Sequence, residues 1–376
     1  MLLDRRQTLA AAIAAAMPWQ LEARTVADTK TYAAVAMQLA ARSVERAKSP
    51  VEARAQIMAH MGELEGQIRS ASVFITQYGG APVKLAVLPE YLFTSYPGRI
   101  SIPDFARLAA FAPDGAEYEA LGKLAQNLKM FIAGNAYETD KNFPDLYFQA
   151  SFIIAPNGNV VLRYRRLNSM YAVTPHDVWS KYLDIYGLDG VFPVAKTEIG
   201  NLAAIASEEI LYPEIARAHA LRGAEIFVHS SSEIGSPNAT PKMIAKRARA
   251  FENMTYVISA NTAGIINSVL PAASADGNSM VVDWKGNVLA ESNGGETFTA
   301  FADIDLAALR AARRKPGMTN MLSRQRNALF AAAYAADTHQ HANSLIDGGV
   351  VKTPTRDHFQ KTSEETIERL AKDGLI

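Results

Sequence analysis

The chain has 376 residues, 49% of them hydrophobic, with 38 Lys and Arg balanced by 38 Asp and Glu. A chain of that length could be one large α/β domain with extensions or two domains, and its balanced charge argues against nucleic acid or an anionic membrane surface as a partner. Cysteine is absent, which excludes disulfides, thiolate metal sites and a cysteine nucleophile together.

The seven histidines have no HExxH spacing, and no Gly-rich phosphate loop precedes a helix; no metal or nucleotide cofactor is expected. No run of eighteen apolar residues is available to span a bilayer. Arg5-Arg6 leads into an Ala-rich stretch, residues 8–17, followed by small residues such as Ala23. This reads as a twin-arginine export signal over residues 1–29, directing the protein to the periplasm. The alternative is an ordinary Ala-rich N-terminal helix in a cytoplasmic protein.

Residues 31–39 read as a strand. Ser49-Pro50-Val51-Glu52 has the capping-box spacing with Pro at the first helical position, and Ile57, Met61, Leu64, Ile68 and Ala71 continue it as one apolar stripe. Residues 83–88 form a buried strand ending in Pro89-Glu90-Tyr91. A carboxylate at the carboxyl end of such a strand is a candidate base, the bland alternative being a solvated loop residue. Residues 115–129 read as a helix, and residues 130–133, 147–154 and 159–164 as strands. Asn157-Gly158 turns the last two into a hairpin.

Arg163, Arg165 and Arg166 follow on that last strand, where alternation turns at least one inward; the rest suit a solvated rim. Residues 169–186, including Pro175-His176-Asp177-Val178-Trp179, read as a polar and aromatic loop too rich in rings to be floppy.

Residues 201–228 form a unit of apolar run, polar corner, helix and second apolar run. Pro213 and Glu214 suit the first helical turn, and Gly223 a left-handed cap. Ser207 sits at the corner, where hydrolases of several folds aim a nucleophile from a strand end; the competing reading is a helix cap. Thr240-Pro241 opens a basic helix to Asn253. A strand over residues 256–260 ends at Asn261. Residues 279–283 and 288–291 form a hairpin, and residues 298–304 a last strand. From Asp305 the chain is helical and then polar. Strand and helix alternate, which predicts an α/β fold.

Three segments, in order and spacing, resemble one family: Leu88-Pro89-Glu90-Tyr91, then Tyr164-Arg165-Arg166, then Ser207-x-Glu209 with Tyr212-Pro213-Glu214 behind it. Gly134-Asn135-Ala136, Arg247-Ala248-Arg249-Ala250-x-Glu252-Asn253, Asn261 and Gly277-x-Ser279 support the match. Over residues 31–309 the chain resembles the nitrilase superfamily, the carbon–nitrogen hydrolases. The resemblance implies a four-layer αββα sandwich over residues 30–309. It also implies a homodimer or larger assembly, with residues 310–376 as an arm.

The family's site uses a glutamate base, a lysine that stabilises the oxyanion and a cysteine nucleophile, often with a second glutamate. By that likeness Glu90 keeps the base position, Arg166 stands at the lysine position and Ser207 at the cysteine position. Asp177 is the nearest counterpart of the second glutamate. Tyr91, His176, Trp179, Glu209 and Asn261 are expected to contact substrate, and no cofactor is implied.

Two departures change the chemistry. A thiol lies only about 4 pKa units above a glutamate, whereas a serine hydroxyl is a far weaker acid. Serine attacks only if its proton leaves as the new bond forms. Arginine keeps the positive charge and forks onto an oxyanion or carboxylate, but does not give up a proton. Three readings follow: a repurposed hydrolase of small amides; a silent homologue that binds a small amide or carboxylate ligand; and a structural protein whose polar corners only cap and pair.

Overall fold

The computed structural model describes residues 31–236, 238–336 and 339–376. The expected export signal lies outside the described residues. In chain order the first strands are β1 (Tyr32–Gln38), β2 (Ala41–Arg42), β3 (Val83–Val87), β4 (Phe131–Thr139), β5 (Tyr147–Ile154) and β6 (Val160–Arg165). Then come β7 (Ala195–Thr197), β8 (Gly200–Ala206), β9 (Ile226–Ser231), β10 (Tyr256–Asn261), β11 (Ile265–Ile266), β12 (Met280–Val282), β13 (Val288–Glu291) and β14 (Thr297–Ile304).

Two six-stranded sheets result, ordered β14-β1-β3-β4-β5-β6 and β13-β12-β10-β9-β8-β7. Three buried clusters define four layers. One lies between the sheets, built from Ala34, Leu85, Tyr164, Leu202, Val228 and Ile258 among others. A second lies between the first sheet and helices α1 (Pro50–Gly79), α2 (Ile102–Ala109) and α3 (Ala116–Leu128). The third is covered by α5 (Pro213–Leu221) and α6 (Pro241–Asn253), once α4 (Trp179–Val191) has passed. This is the expected αββα sandwich. Strand β1 is buried along its whole length, as a run of apolar residues must be when both faces of a sheet are covered.

Local signals set the boundaries. The Ser49 side chain accepts from Glu52 N at 3.2 Å, the N-cap bond that starts α1, and Glu52 accepts from Lys48 N, one residue before the cap, at 2.9 Å. Gly80 ends it at φ 86°, a conformation that glycine takes without a Cβ clash.

The stretch read as a loop over residues 169–186 is largely helical instead. Thr174 and Asp177 form a capping box around a 3-10 turn, Pro175–Val178, that runs into α4. Trp179, Tyr182, Leu183 and Tyr186 recur at helical spacing and pack on the first core. That period is hidden in the sequence by the turn-forming residues before it.

Past β14 come α7 (Leu306–Arg314), α8 (Asn327–Ala336), the short strands β15 (Ile346–Asp347) and β16 (Val350–Val351), and α9 (His358–Lys372). The tail docks on its own chain. Leu345 and Phe359 join the first core, and Arg356 donates to Ile100 O at 2.8 Å and to Tyr147 Oη at 2.9 Å. No helix among the described residues is long and apolar enough to cross a membrane.

Candidate active site

Glu90 leaves the end of β3, Arg166 follows β6, and Ser207 follows β8, so each enters from the carboxyl end of a strand. Glu90 N donates to Ser231 O at 3.3 Å, tying one sheet to the other at this point. All three side chains are buried, with exposures of 3%, 6% and 3%.

Arg166 links them. Its Nη1 donates to Gln149 Oε1 and lies 3.4 Å from Glu90 Oε1. Its Nη2 pairs with Glu208, beside Ser207, and its Nε donates to Asn168 O at 2.8 Å. Gln149 Nε2 also donates to Glu90 Oε1, at 2.7 Å. One carboxylate oxygen of Glu90 is therefore held from two sides while the other keeps its lone pairs.

Ser207 has φ 50°, a left-handed conformation costing an L-residue about 1–2 kcal/mol. The surroundings enforce it. His229 is fully buried, and its Nε2 lies 2.8 Å from Ser207 O while its Nδ1 lies 2.8 Å from Ser259 Oγ. A carbonyl only accepts, so Nε2 carries the hydrogen and Nδ1 accepts from the serine. Burial keeps this ring neutral by pushing its pKa far below the usual histidine value.

The side chain that reaches Ser207 Oγ itself is Lys242, in the first turn of α6. Its Nζ is 3.3 Å from Ser207 Oγ and 3.5 Å from Ser231 Oγ. Burial lowers its pKa, against the pull of Glu90 and Glu233 and with help from Arg166.

A model of the carbon–nitrogen hydrolase family matches residues 10–314, more than half of the chain. The chain belongs to that family. It is similar to a probable nitrilase of Schizosaccharomyces pombe, 26% identical over 180 residues that cover 48% of this chain and 61% of that one. A formamidase of Helicobacter acinonychis is 24% identical over 208 residues, 54% of this chain and 58% of the relative. The chain thus spans about three fifths of these curated relatives. Among solved structures, a nitrilase-superfamily member from Saccharomyces cerevisiae superposes with a TM-score of 0.60 at 20% identity, over 79% of this chain and 97% of that one. That likeness is one of fold.

Within this carbon–nitrogen hydrolase fold, several expected substrate contacts have other partners. Glu209 is fully buried, and its oxygens accept from Leu167 N at 2.6 Å, Asn168 N at 3.0 Å, Tyr164 Oη at 2.7 Å and Ala206 N at 3.3 Å. It braces the turn after Arg166 instead of facing a ligand.

Asp177 accepts from Thr174 and, at 2.7 Å, from Ser344 of the tail; it caps a turn and bonds to none of Glu90, Arg166 and Ser207. His176 joins it in lining a cavity of about 570 Å³ under α9, and the Trp179 ring lies 6.4 Å from the His176 ring. Asn261 accepts from Glu233 N at 2.6 Å and donates to Glu233 O and Gly277 O, so it fixes the segment before α6. Tyr91, at φ 38°, stays beside Glu90 and donates to Ser232.

Lys242 escaped the sequence reading because a basic helix normally means a solvated face. The available signal was Lys242, Lys246, Arg249 and Asn253 falling on one helical stripe. Lys246, Arg249 and Asn253 are all buried, and Lys246 is neutralised by Glu233 at 3.2 Å.

Glu209 also makes a pH prediction. Burial raises its pKa to about 7, outweighing the Arg166 charge and the hydrogen bonds it accepts. A folded pKa above the unfolded value means that the native state binds the extra proton. The stability contributed by protonated Glu209 is therefore complete below about pH 4.3 and is lost as pH rises toward about 7. Glu209→Gln should flatten that slope in urea midpoints measured across the range. It should also lower stability by about 1–3 kcal/mol, because an amide N–H then meets the Ala206 N–H. An unchanged slope in the variant would remove Glu209 as its source.

Proposed function

We propose that this protein hydrolyses a carbon–nitrogen bond in a small amide through an acyl ester on Ser207. The observation that carries the reading is the position of the Ser207 hydroxyl, at a left-handed corner and in hydrogen-bond reach of the half-buried Lys242 amine, with the Arg166–Glu90 pair alongside. Ser207 Oγ attacks the carbonyl carbon, the amine leaves, and water clears the ester. Glu90, gripped through one oxygen by Gln149 and Arg166, offers the other to the proton of that water. Arg166 holds Glu90 and Glu208 in place. Amides suit this site better than nitriles, because thiolate attack on a nitrile has no easy hydroxyl counterpart. The names of the relatives, formamidase and probable nitrilase, support a small acyl substrate. The Arg5-Arg6 segment supports a periplasmic site of action.

A second reading has an observation of its own. The Arg166 nitrogens already bond to Asn168, Gln149, Glu90 and Glu208, so four of its five N–H groups are engaged and a single N–H on Nη2 is left for an incoming oxyanion. A silent homologue that binds a small amide or carboxylate fits that restraint. The two part on a single experiment: incubation with a reactive ester and a panel of small amides, followed by intact-protein mass spectrometry. A hydrolase shows a mass increment on Ser207 and turnover that falls about ten thousand-fold in Ser207→Ala. Equal turnover in both proteins rejects Ser207 as the nucleophile.

A further inference from the structure

The hydrogen on Ser207 Oγ needs an acceptor in direct reach, and none of the neighbouring carboxylates, nor His229, is bonded to that hydroxyl. Glu90 bonds through Oε1 to Gln149 and Arg166, Glu208 pairs with Arg166, and Glu209 accepts from four donors. His229 touches the carbonyl of Ser207, not its hydroxyl, and its second nitrogen is occupied by Ser259. Among the described residues, the ionisable side chain bonded to Ser207 Oγ is Lys242, at 3.3 Å.

We propose that Lys242 is the general base of the acylation step, forming a serine–lysine dyad with Ser207. The inference rests on the hydrolase reading above and adds to it the residue that activates the nucleophile. It places the working amine on α6, not at the family's lysine position after β6, where Arg166 now stands.

A lysine serves as a base only when neutral, and its surroundings shift it toward that form. Burial penalises the ammonium, and the Arg166 guanidinium repels it. Lys246, one turn further along α6, adds repulsion that Glu233 partly cancels. Glu90 and Glu233 pull the other way. The Ser231 hydroxyl at 3.5 Å gives Nζ a second polar neighbour and fixes its direction. The net displacement is downward.

The step balances without a further reactant. Neutral Nζ takes the Oγ proton as the Oγ–C bond forms, and the carbonyl π pair moves onto the substrate oxygen. Collapse of the tetrahedral centre breaks the C–N bond, and the departing nitrogen takes the proton back from the Lys242 ammonium. Lys242 ends neutral, beside an ester on Ser207. Water then attacks that ester with Glu90 as proton acceptor, so the two groups serve different halves of the reaction.

The test uses the full chain, p-nitrophenyl acetate as acylating probe, and the rate of Ser207 acylation from about pH 5 to about pH 10, followed by nitrophenolate release and mass. In the wild type the rate should rise with pH along a limb set by Lys242. Both Lys242→Met and Lys242→Arg should lose that limb and acylate about a hundred- to ten thousand-fold more slowly. Arginine keeps the charge but accepts no proton, so Lys242→Arg acylating at the wild-type rate overturns the proposal and leaves Lys242 as a mere cation. A pH-independent wild-type rate overturns it without any variant, which covers a Lys242→Met protein that fails to fold. If instead the wild type never acylates, or Ser207→Ala acylates equally, the hydrolase reading itself has failed and the dyad falls with it.

Discussion

Glu90→Gln is expected to lower amide turnover by about a thousand-fold while leaving the acyl enzyme on Ser207 to accumulate. The amide is nearly isosteric, and its oxygen still accepts from Gln149 Nε2 and Arg166 Nη1, which now hold Glu90 Oε1 at 2.7 and 3.4 Å. The fold should therefore survive. What disappears is a carboxylate oxygen able to take a proton from water.

The acylation step responds in the opposite sense. The Glu90 charge favours the Lys242 ammonium, so its removal should shift the acylation limb toward lower pH. Quenched samples examined by mass spectrometry check the prediction: a persistent increment on Ser207 in the variant, against a transient one in the wild type. Unchanged turnover would take Glu90 out of the reaction. Loss of the increment would instead place Glu90 in the first half, where Lys242 has been put.

The sequence shows a good deal of this arrangement because much of it is local. Ser49 and Glu52 cap a helix through bonds only three or four residues apart, Asn157-Gly158 closes a hairpin, and Gly223 at φ 96° ends the helix after the corner. The corner itself is legible because an apolar run followed by Ser207-Glu208-Glu209 and Pro213 leaves few ways for the backbone to proceed. Glu90 and Arg166 were reachable through family likeness, since their meeting depends on strands 76 positions apart in sequence.

Lys242 was not reachable that way. Its partner lies 35 residues upstream in sequence, and the apolar stripe that marks a buried helix face is replaced by basic residues that find buried partners. Asp177 misled for the converse reason. By likeness it stood nearest to the family's second glutamate, but Thr174 three residues before it offered a cap, and short-range capping took the carboxylate.

Arg166→Met is expected to destabilise the fold by about 3 kcal/mol, measured as a fall in the urea midpoint at unchanged slope. The guanidinium lies between two carboxylates of unequal burial, with side-chain exposures of 4% for Glu90 and 30% for Glu208. Its removal leaves Glu90 charged in a nearly dry site and strands Gln149 Oε1 and Asn168 O without their donor. Glu208 can rotate toward water and recover much of its hydration, which keeps the estimate at the low end for a broken buried pair.

A double-mutant cycle isolates the cause. Adding Glu90→Gln to Arg166→Met should recover part of the loss, because the uncompensated charge disappears along with its partner. Strict additivity would show that the pair contributes nothing. Arg166→Lys should fall between the wild type and Arg166→Met, since one ammonium restores the charge but cannot point at Glu90, Glu208, Gln149 and Asn168 together. A lysine variant as stable as the wild type would mean that charge alone, not the planar fork, holds this corner of the site.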